Sequence, residues 1–355
     1  MDPMPSNREG RHVRPCGNSP DGRAEGAETP VWVVTDGRPG NENPARALAR
    51  ALEPHGFAPA DVRRAVPRAW AGRLPARLWR MIPARVGGWP FSGYAAPEGL
   101  AKPWPGLVIS AGRRSAPAAA AMRALSAMGA GGWVRAVQIL DPRMGAGAFD
   151  ALVLPEHDGR TGPGVVTTLG SLSAVTPEIA RAAAAPWAAR LEGLARPRLA
   201  ALIGGPSGSN RWGEAEGRAV LAALAAAEAE GWGLMVTPSR RTPAGLVAAM
   251  RDAAPGAFVW DGTGENPYPG ILGLADAALA TADSVNMASE AASAGLPVNV
   301  LPVAGLAAKL ARFHAGLASR GAARDWSGAP QVWEAAPLDE AGRVAAILAP
   351  RLRAD

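Results

Sequence analysis

Short apolar runs alternate with Ala-, Leu- and Arg-rich stretches along most of this chain, and the alternation starts afresh near the middle. Strand-like runs at 31–35 and 107–110 are each followed by a helical pattern, at 44–52 and 117–128, and further runs stand at 134–140 and 151–154. Residues 177–195 read as a helical connector broken by a proline. Strands are then expected at 199–203, 233–237, 257–260, 277–281 and 298–301, with helices at 213–230, 243–253, 287–294, 305–318 and 338–353. A strand that returns through a helix must pair parallel to its predecessor, and a parallel sheet needs helices on both faces. The pattern therefore predicts an α/β fold of two Rossmann-like domains facing across a cleft. The expected divisions are a disordered tail at 1–28, an N-terminal domain at 29–176, a connector at 177–197, a C-terminal domain at 198–320 and a closing segment at 321–355. Ligands of open α/β sheets bind beyond the C-terminal ends of the strands, so the chemistry is sought in the loops after each strand.

At 355 residues the chain exceeds one ordinary core, and 48% hydrophobic residues suffice to fill two. The first 28 residues are polar and rich in Pro and Gly, with no apolar segment of the kind a signal peptide carries. No charge-free apolar run of about 18 residues occurs, so no spanning helix is expected. Cys16 is the single cysteine, which fits a reducing cytoplasm, and with four histidines it gives no basis for a protein-built zinc site. The composition suggests a bacterial origin. The positive charge is uneven: residues 31–190 hold 19 Lys/Arg against 10 Asp/Glu, whereas 200–310 hold 6 against 10. The N-terminal half is the half expected to meet an anion.

The second series opens with GGPSGSN, residues 204–210, between a strand and a helix. Glycines let a backbone approach a ligand closely, and the amides at a helix start suit phosphate. The alternative is an ordinary βα turn with a Ser or Asn cap. A run made entirely of small or turn-forming residues exceeds what a cap needs, so Gly205, Ser207, Gly208, Ser209 and Asn210 are expected at a phosphate. Neither a P-loop nor a dinucleotide fingerprint is present. The next strand ends in TPSRRTP, where Ser239, Arg240 and Arg241 suit a diphosphate, a solvated loop being the alternative. Residues 281–290 read TADSVNMASE. Glu290, near the start of a helix, is expected to accept the two hydroxyls of a ribose. Asp283, Ser284, Asn286 and Met287 would rim the ligand. The competing reading makes Ser284 an N-cap with an acid favouring the helix dipole.

The two segments together resemble the donor half of GT-B glycosyltransferases, especially the lipid-acceptor branch that includes the peptidoglycan GlcNAc transferase. There a Gly/Ser loop holds the diphosphate and a Ser-Glu…Gly-x-Pro segment the ribose, matched here by Ser289, Glu290, Gly295 and Pro297. The wider set TDGRPGNENPARALARAL, ISAGRRSAP, QILDPR, FDALVLPEHD, TPSRRTP and TADSVNMASEA is similar to the mitochondrial-fission "elongated mitochondria" family. The resemblance implies a GT-B-like fold and nucleotide-sugar chemistry, with the acceptor in the N-terminal half. Gly40 and Pro44 match the first loop of GT-B enzymes, which often carry a His or an acid between them; Asn41 and Glu42 stand there instead. Asp36, Glu42 and His157 are the candidate general bases, since an acceptor hydroxyl must lose its proton to a carboxylate or neutral imidazole. Arg38, Gly40, Asn41, Arg113, Arg114 and Ser115 are placed on the acceptor side, the paired guanidiniums suiting a phosphate or carboxylate.

The expected function is transfer of a sugar from a nucleotide-diphosphate donor to an envelope or lipid-linked acceptor, with no cofactor and no metal. A non-catalytic scaffold that recruits protein partners and a sugar-nucleotide epimerase are the alternatives. Residues 62–91 carry seven arginines and three tryptophans, a mix for an anionic membrane surface or for an amphipathic helix pair packed on the domain. Nucleic acid is not expected. The expected location is the cytoplasm, peripheral at the inner membrane.

Overall fold

The computed structural model describes residues 27–75, 78–79 and 88–353. The expected tail, with Cys16, lies outside the described residues apart from its last two positions. The N-terminal half contains β1 (Val31–Thr35), α1 (Pro39–Leu52), β2 (Asp61–Arg64), β3 (Leu107–Ala111), α2 (Ala116–Ala127), β4 (Arg135–Ile139), β5 (Ala151–Pro155) and β6 (Val165–Thr168). These six strands form one sheet in the order β2-β1-β3-β4-β5-β6, every pair parallel. Helix α3 (Pro177–Ala188) leads into the second half. There follow β7 (Arg198–Ile203), α4 (Glu214–Ala229), β8 (Gly233–Pro238), α5 (Ala244–Ala253), β9 (Phe258–Val259), α6 (Tyr268–Leu274), β10 (Ala277–Thr281), α7 (Val285–Ser293), β11 (Val298–Leu301), α8 (Ala308–Ser319) and β12 (Ala323–Asp325). Its sheet runs β12-β11-β10-β7-β8-β9, again all parallel. Central strands such as VWVVT and LVISA are buried throughout, as strands covered on both faces must be.

Each sheet reverses its winding once, between β1 and β3 in the first and between β7 and β10 in the second. Those two reversals open crevices at the strand ends, and the loops that border them carry the candidate sites.

After β12 the chain returns to the first half. α9 (Glu340–Arg353) crosses back and lays Val344, Ala345, Leu348 and Leu352 into the same core as Leu48, Leu52 and Phe57 of the first half. Glu340 fixes the crossing. Its buried carboxylate accepts the Leu169 amide at 3.0 Å, Arg320 at 3.2 Å and Arg343 at 2.6 Å, so it ties the first half, the end of α8 and its own helix together. β12 extends the second sheet although residues 321–355 read as a separate closing segment.

Where it is described, the basic segment does not form the expected amphipathic helix pair. Asp61–Arg64 is an edge strand on β1, and Trp79, Trp89 and Tyr94 stack in a buried cluster with ring centroids 4.6–5.3 Å apart. Charged edges are normal for a strand with one free side. Residues 76–77 and 80–87 lie outside the described residues. Among the described residues no helix is long and apolar enough to cross a membrane.

Candidate functional site

The loop after β7 is shaped from within. Gly204 donates its amide to Thr281 Oγ1 at 2.8 Å and Gly205 to Asp283 Oδ2 at 3.1 Å. A Cβ at Gly204 would run into the Asp283 carboxylate, and one at Gly205 into the backbone of Arg241. These glycines therefore serve a close approach of the protein to itself. Asp283, with a fully buried side chain, also accepts Thr281 Oγ1 at 2.7 Å and Arg241 Nη2 at 2.7 Å. Arg241 gives its other terminal nitrogen to the Gly205 carbonyl at 2.6 Å. Asp283 and Arg241, expected to rim and grip the ligand, instead latch three loops to one another. Ser239 is held in its turn by Thr242 at 3.1 Å, and Arg240 is exposed. Asn210 closes the 204–210 loop onto the Gly205 carbonyl at 3.1 Å, and Ser209 accepts the Ala307 amide through its carbonyl at 2.8 Å. Ser207 and Gly208 remain exposed. The helix behind the loop is a poor anion seat, because Glu214 and Glu216 occupy its first turn and Glu216 accepts the Gly213 amide at 2.7 Å.

The start of α7 has the opposite character. Ser284 caps it by accepting the Met287 amide at 3.4 Å, so the capping reading of Ser284 holds, and no acid sits in the first turn. Its positive end borders a cleft cavity of about 160 Å³ between the halves, lined by Val285 and Asn286 on one side and by Gly40, His157, Thr168 and Ser171 on the other. Glu290 lies in the second turn, too deep for capping. Its Oε2 accepts Tyr268 Oη at 2.7 Å, the one hydrogen bond it receives among the described residues. Burial pushes the Glu290 carboxyl up while the Tyr268 hydroxyl opposes it, and burial together with Glu290 pushes Tyr268 well up. Ser289, matched to the ribose segment by resemblance, faces elsewhere: it is fully buried and accepts the Ser171 amide at 3.1 Å, fastening the two halves.

Two of the three candidate bases are already engaged. Asp36 accepts Asn41 Nδ2 at 3.0 Å and lies 3.5 Å from Arg38 Nε. Glu42 pairs with Arg46 at 2.8 Å and with Arg64; burial would raise its pKa, but the two guanidiniums hold it below the usual range. His157 is the one of the three that lines the cleft cavity. Its carbonyl accepts Arg312 Nη2 at 2.7 Å across the cleft, its ring packs edge-on against Phe313, and its Nδ1 has no hydrogen-bond partner among the described residues. Burial lowers its pKa against the pull of Asp158, with Lys309 and Arg312 adding to the lowering, so the ring is neutral at physiological pH. Ser115 is a buried structural residue bonded to the Ala111 carbonyl at 2.8 Å.

Arg38, Asn41, Arg113 and Arg114 come together around a second, larger cavity of about 780 Å³ at the ends of β1, β3 and β4. Sequence reasoning did not single out Arg73 and Arg143, which complete its wall. The run QILDPR was a signal for Arg143.

The family described as Mitochondrial fission ELM1 matches residues 39–352. The mitochondrial fission protein ELM1 of Arabidopsis thaliana is 29% identical over 273 residues, which cover 69% of this chain and 63% of that protein. The chain thus spans less than two thirds of its curated relative. UDP-GlcNAc 2-epimerase of Neisseria meningitidis, solved with bound UDP-GlcNAc, superposes with a TM-score of 0.50 at 12% identity, covering 91% of this chain and 99% of that one. The spinosyn forosaminyltransferase SpnP gives a TM-score of 0.47 at 14% identity, covering 92% of this chain and 95% of that one.

Proposed function

This chain belongs to the mitochondrial fission ELM1 family, and on its GT-B-like frame we propose that it binds a nucleotide-diphosphate sugar in the cleft and transfers the sugar to an acceptor held by the N-terminal half. One observation carries the reading. Glu290 keeps a half-buried carboxylate with a single protein donor among the described residues, six positions beyond a cap that borders the cleft cavity and has no acid in its first helical turn. The diphosphate is assigned to the amides at Val285 and Asn286, and the ribose diol to the unused lone pairs of Glu290. His157 is the general base: it stands across the same cavity and is already in its neutral form.

Binding is tested by calorimetry with UDP-, GDP-, ADP- and CMP-sugars, beginning with UDP-GlcNAc, against Glu290→Gln. The substitution keeps size and helix propensity. Loss of a charge-assisted acceptor should weaken binding by roughly 10- to 100-fold, and by less for a 2′,3′-dideoxy nucleotide. Equal losses for both nucleotides, with a lower melting temperature, would mean that Glu290 only supports the fold. Transfer should also be steady through neutral pH and fall in acid. The His157 pKa is lowered from 6.5, so the base is lost only as pH drops through that lowered value. A rate that already declines from pH 8 to 7 contradicts His157 as the base.

A second reading, partner recruitment without chemistry, draws on the internal pairing of Asp36 and Glu42. Nucleotide binding without turnover by any sugar donor would favour it. Epimerisation has less support, because His157 is the only one of the three candidate bases on the cleft cavity.

A further inference from the structure

The larger cavity lies where the first sheet reverses its winding, beyond the ends of β1 and β3, and it is built for a different ligand. Five arginines line it: Arg38, Arg73, Arg113, Arg114 and Arg143. Its two acids are already matched, Asp36 by Arg38 and Asn41, and Asp141 by Arg160. Arg73, Arg113, Arg114 and Arg143 are exposed and have no ion-pair partner among the described residues. Four uncompensated guanidiniums around one concavity repel each other, and a polyanion relieves that repulsion.

Two of the loops that carry them, those of Arg113–Arg114 and of Arg143, are tied to each other. Gln138 is fully buried and donates Nε2 to the carbonyls of Gly112 and Leu140, each at 3.1 Å, which joins the loop after β3 to the loop after β4. Its Oε1 accepts Ser110 Oγ at 2.6 Å. Leu140 and Arg143 both adopt left-handed backbone, with φ of 65° and 54°, and both line the cavity. Two non-glycine residues in that region within four positions are costly, and such strain concentrates where a side chain must be presented to a ligand.

A third feature narrows the ligand. The Asp36 side chain is 1% exposed and borders the cavity; its Oδ2 lies 3.5 Å from Arg38 Nε as an ion pair but accepts no hydrogen bond among the described residues. An acceptor among arginines does not suit a bare phosphate; it suits a hydroxyl on the same molecule. Trp79 and Leu74 add an apolar wall for the C–H face of a ring.

We propose that this cavity is a second binding site, for a phosphorylated polyol, with the phosphate on Arg113, Arg114 and Arg143 and a hydroxyl on Asp36. Under the transfer reading this ligand is the acceptor, in which case the inference rests on that reading; the recognition chemistry itself does not. The same chemistry occurs in a soluble sugar phosphate and in a polyol-phosphate lipid headgroup. Calorimetry with glucose 6-phosphate, glucose and inorganic phosphate addresses the first. Flotation with phosphatidylcholine vesicles, with and without phosphatidylglycerol, addresses the second.

The parent protein should bind glucose 6-phosphate more tightly than inorganic phosphate, or float with the phosphatidylglycerol vesicles, and it should ignore glucose and plain phosphatidylcholine. Arg113→Ala/Arg114→Ala should weaken that binding by about 100-fold or more, at roughly tenfold or more per charge-assisted bond. Both arginines are exposed, so an unchanged melting temperature is expected and separates lost binding from lost fold. Asp36→Asn should reduce the preference for glucose 6-phosphate over inorganic phosphate. If no probe binds, or the double variant binds as the parent does, the inference is overturned. Glu290→Gln should leave these affinities unchanged. Sugar-phosphate binding without nucleotide binding therefore sinks the donor assignment alone, and the reverse sinks this site alone.

Discussion

Asp283→Ala should lower the stability of the second half by about 3–5 kcal/mol, because it strands a cation and two neutral donors around a buried hole. The Gly205 amide, the Thr281 hydroxyl and the Arg241 guanidinium all converge on that one carboxylate. In a melt that resolves the two halves, the transition of the second should fall by roughly 6–20 °C. A drop of a degree or two would mean that the loop is held by something else. Arg241→Ala should cost much less. Its side chain is 38% exposed, and water screens the pair and can take its place. Nucleotide affinity of Arg241→Ala, measured below its transition, should stay within about twofold of the parent, since one charge-assisted contact to the diphosphate would be worth tenfold or more. A tenfold loss would put Arg241 back on the diphosphate.

Glu340→Ala should be comparably severe, at about 3–5 kcal/mol, and its effect should reach both halves. The variant leaves the Leu169 amide, Arg320 and Arg343 without their shared acceptor. pH gives an independent check. Burial alone would raise the Glu340 pKa, but Arg343, the Leu169 amide and Arg320 outweigh it and hold the carboxyl below its ordinary value of 4.5. A depressed carboxyl stabilises fully above the ordinary value and loses that contribution as pH falls through the depressed one. Urea unfolding should show that acid loss in the parent and a shallower one in Glu340→Gln. Identical acid slopes would remove Glu340 from the account.

Much of the fold is legible because parallel strands leave a strong mark: runs such as VWVVT and LVISA are largely apolar and buried on both faces. The weaker elements lack that mark. Asp61–Arg64 is an edge strand whose free side and charged residues hide its pairing. Tyr268–Leu274 is only seven residues and contains Pro269, Gly270 and Gly273; the two glycines are there because α3 presses Trp187 and the Ala180 carbonyl against them. At the site, residue type was informative and direction was not. Ser284, Ser289 and Glu290 share one short helix, yet one caps it, one fastens the halves and one meets the Tyr268 hydroxyl. Asp283 reads as a ligand-facing acid until its three internal donors are seen. The basic cavity gathers Arg73, Arg113 and Arg143 from three distant loops, which no local pattern records.

The return of α9 to the first half has a consequence for synthesis. Domains generally fold in order as they leave the ribosome, the N-terminal one first. Here Val344, Leu348 and Leu352 are made after every strand of the second sheet, and they close the core that contains Val31 and Val33. The second sheet, whose strands are all complete by Asp325, can close before the first is sealed. The nascent first half must therefore wait with the faces of α1 and its sheet uncovered, and a ribosome stalled just short of residue 340 would hold a finished second half beside an unfinished first.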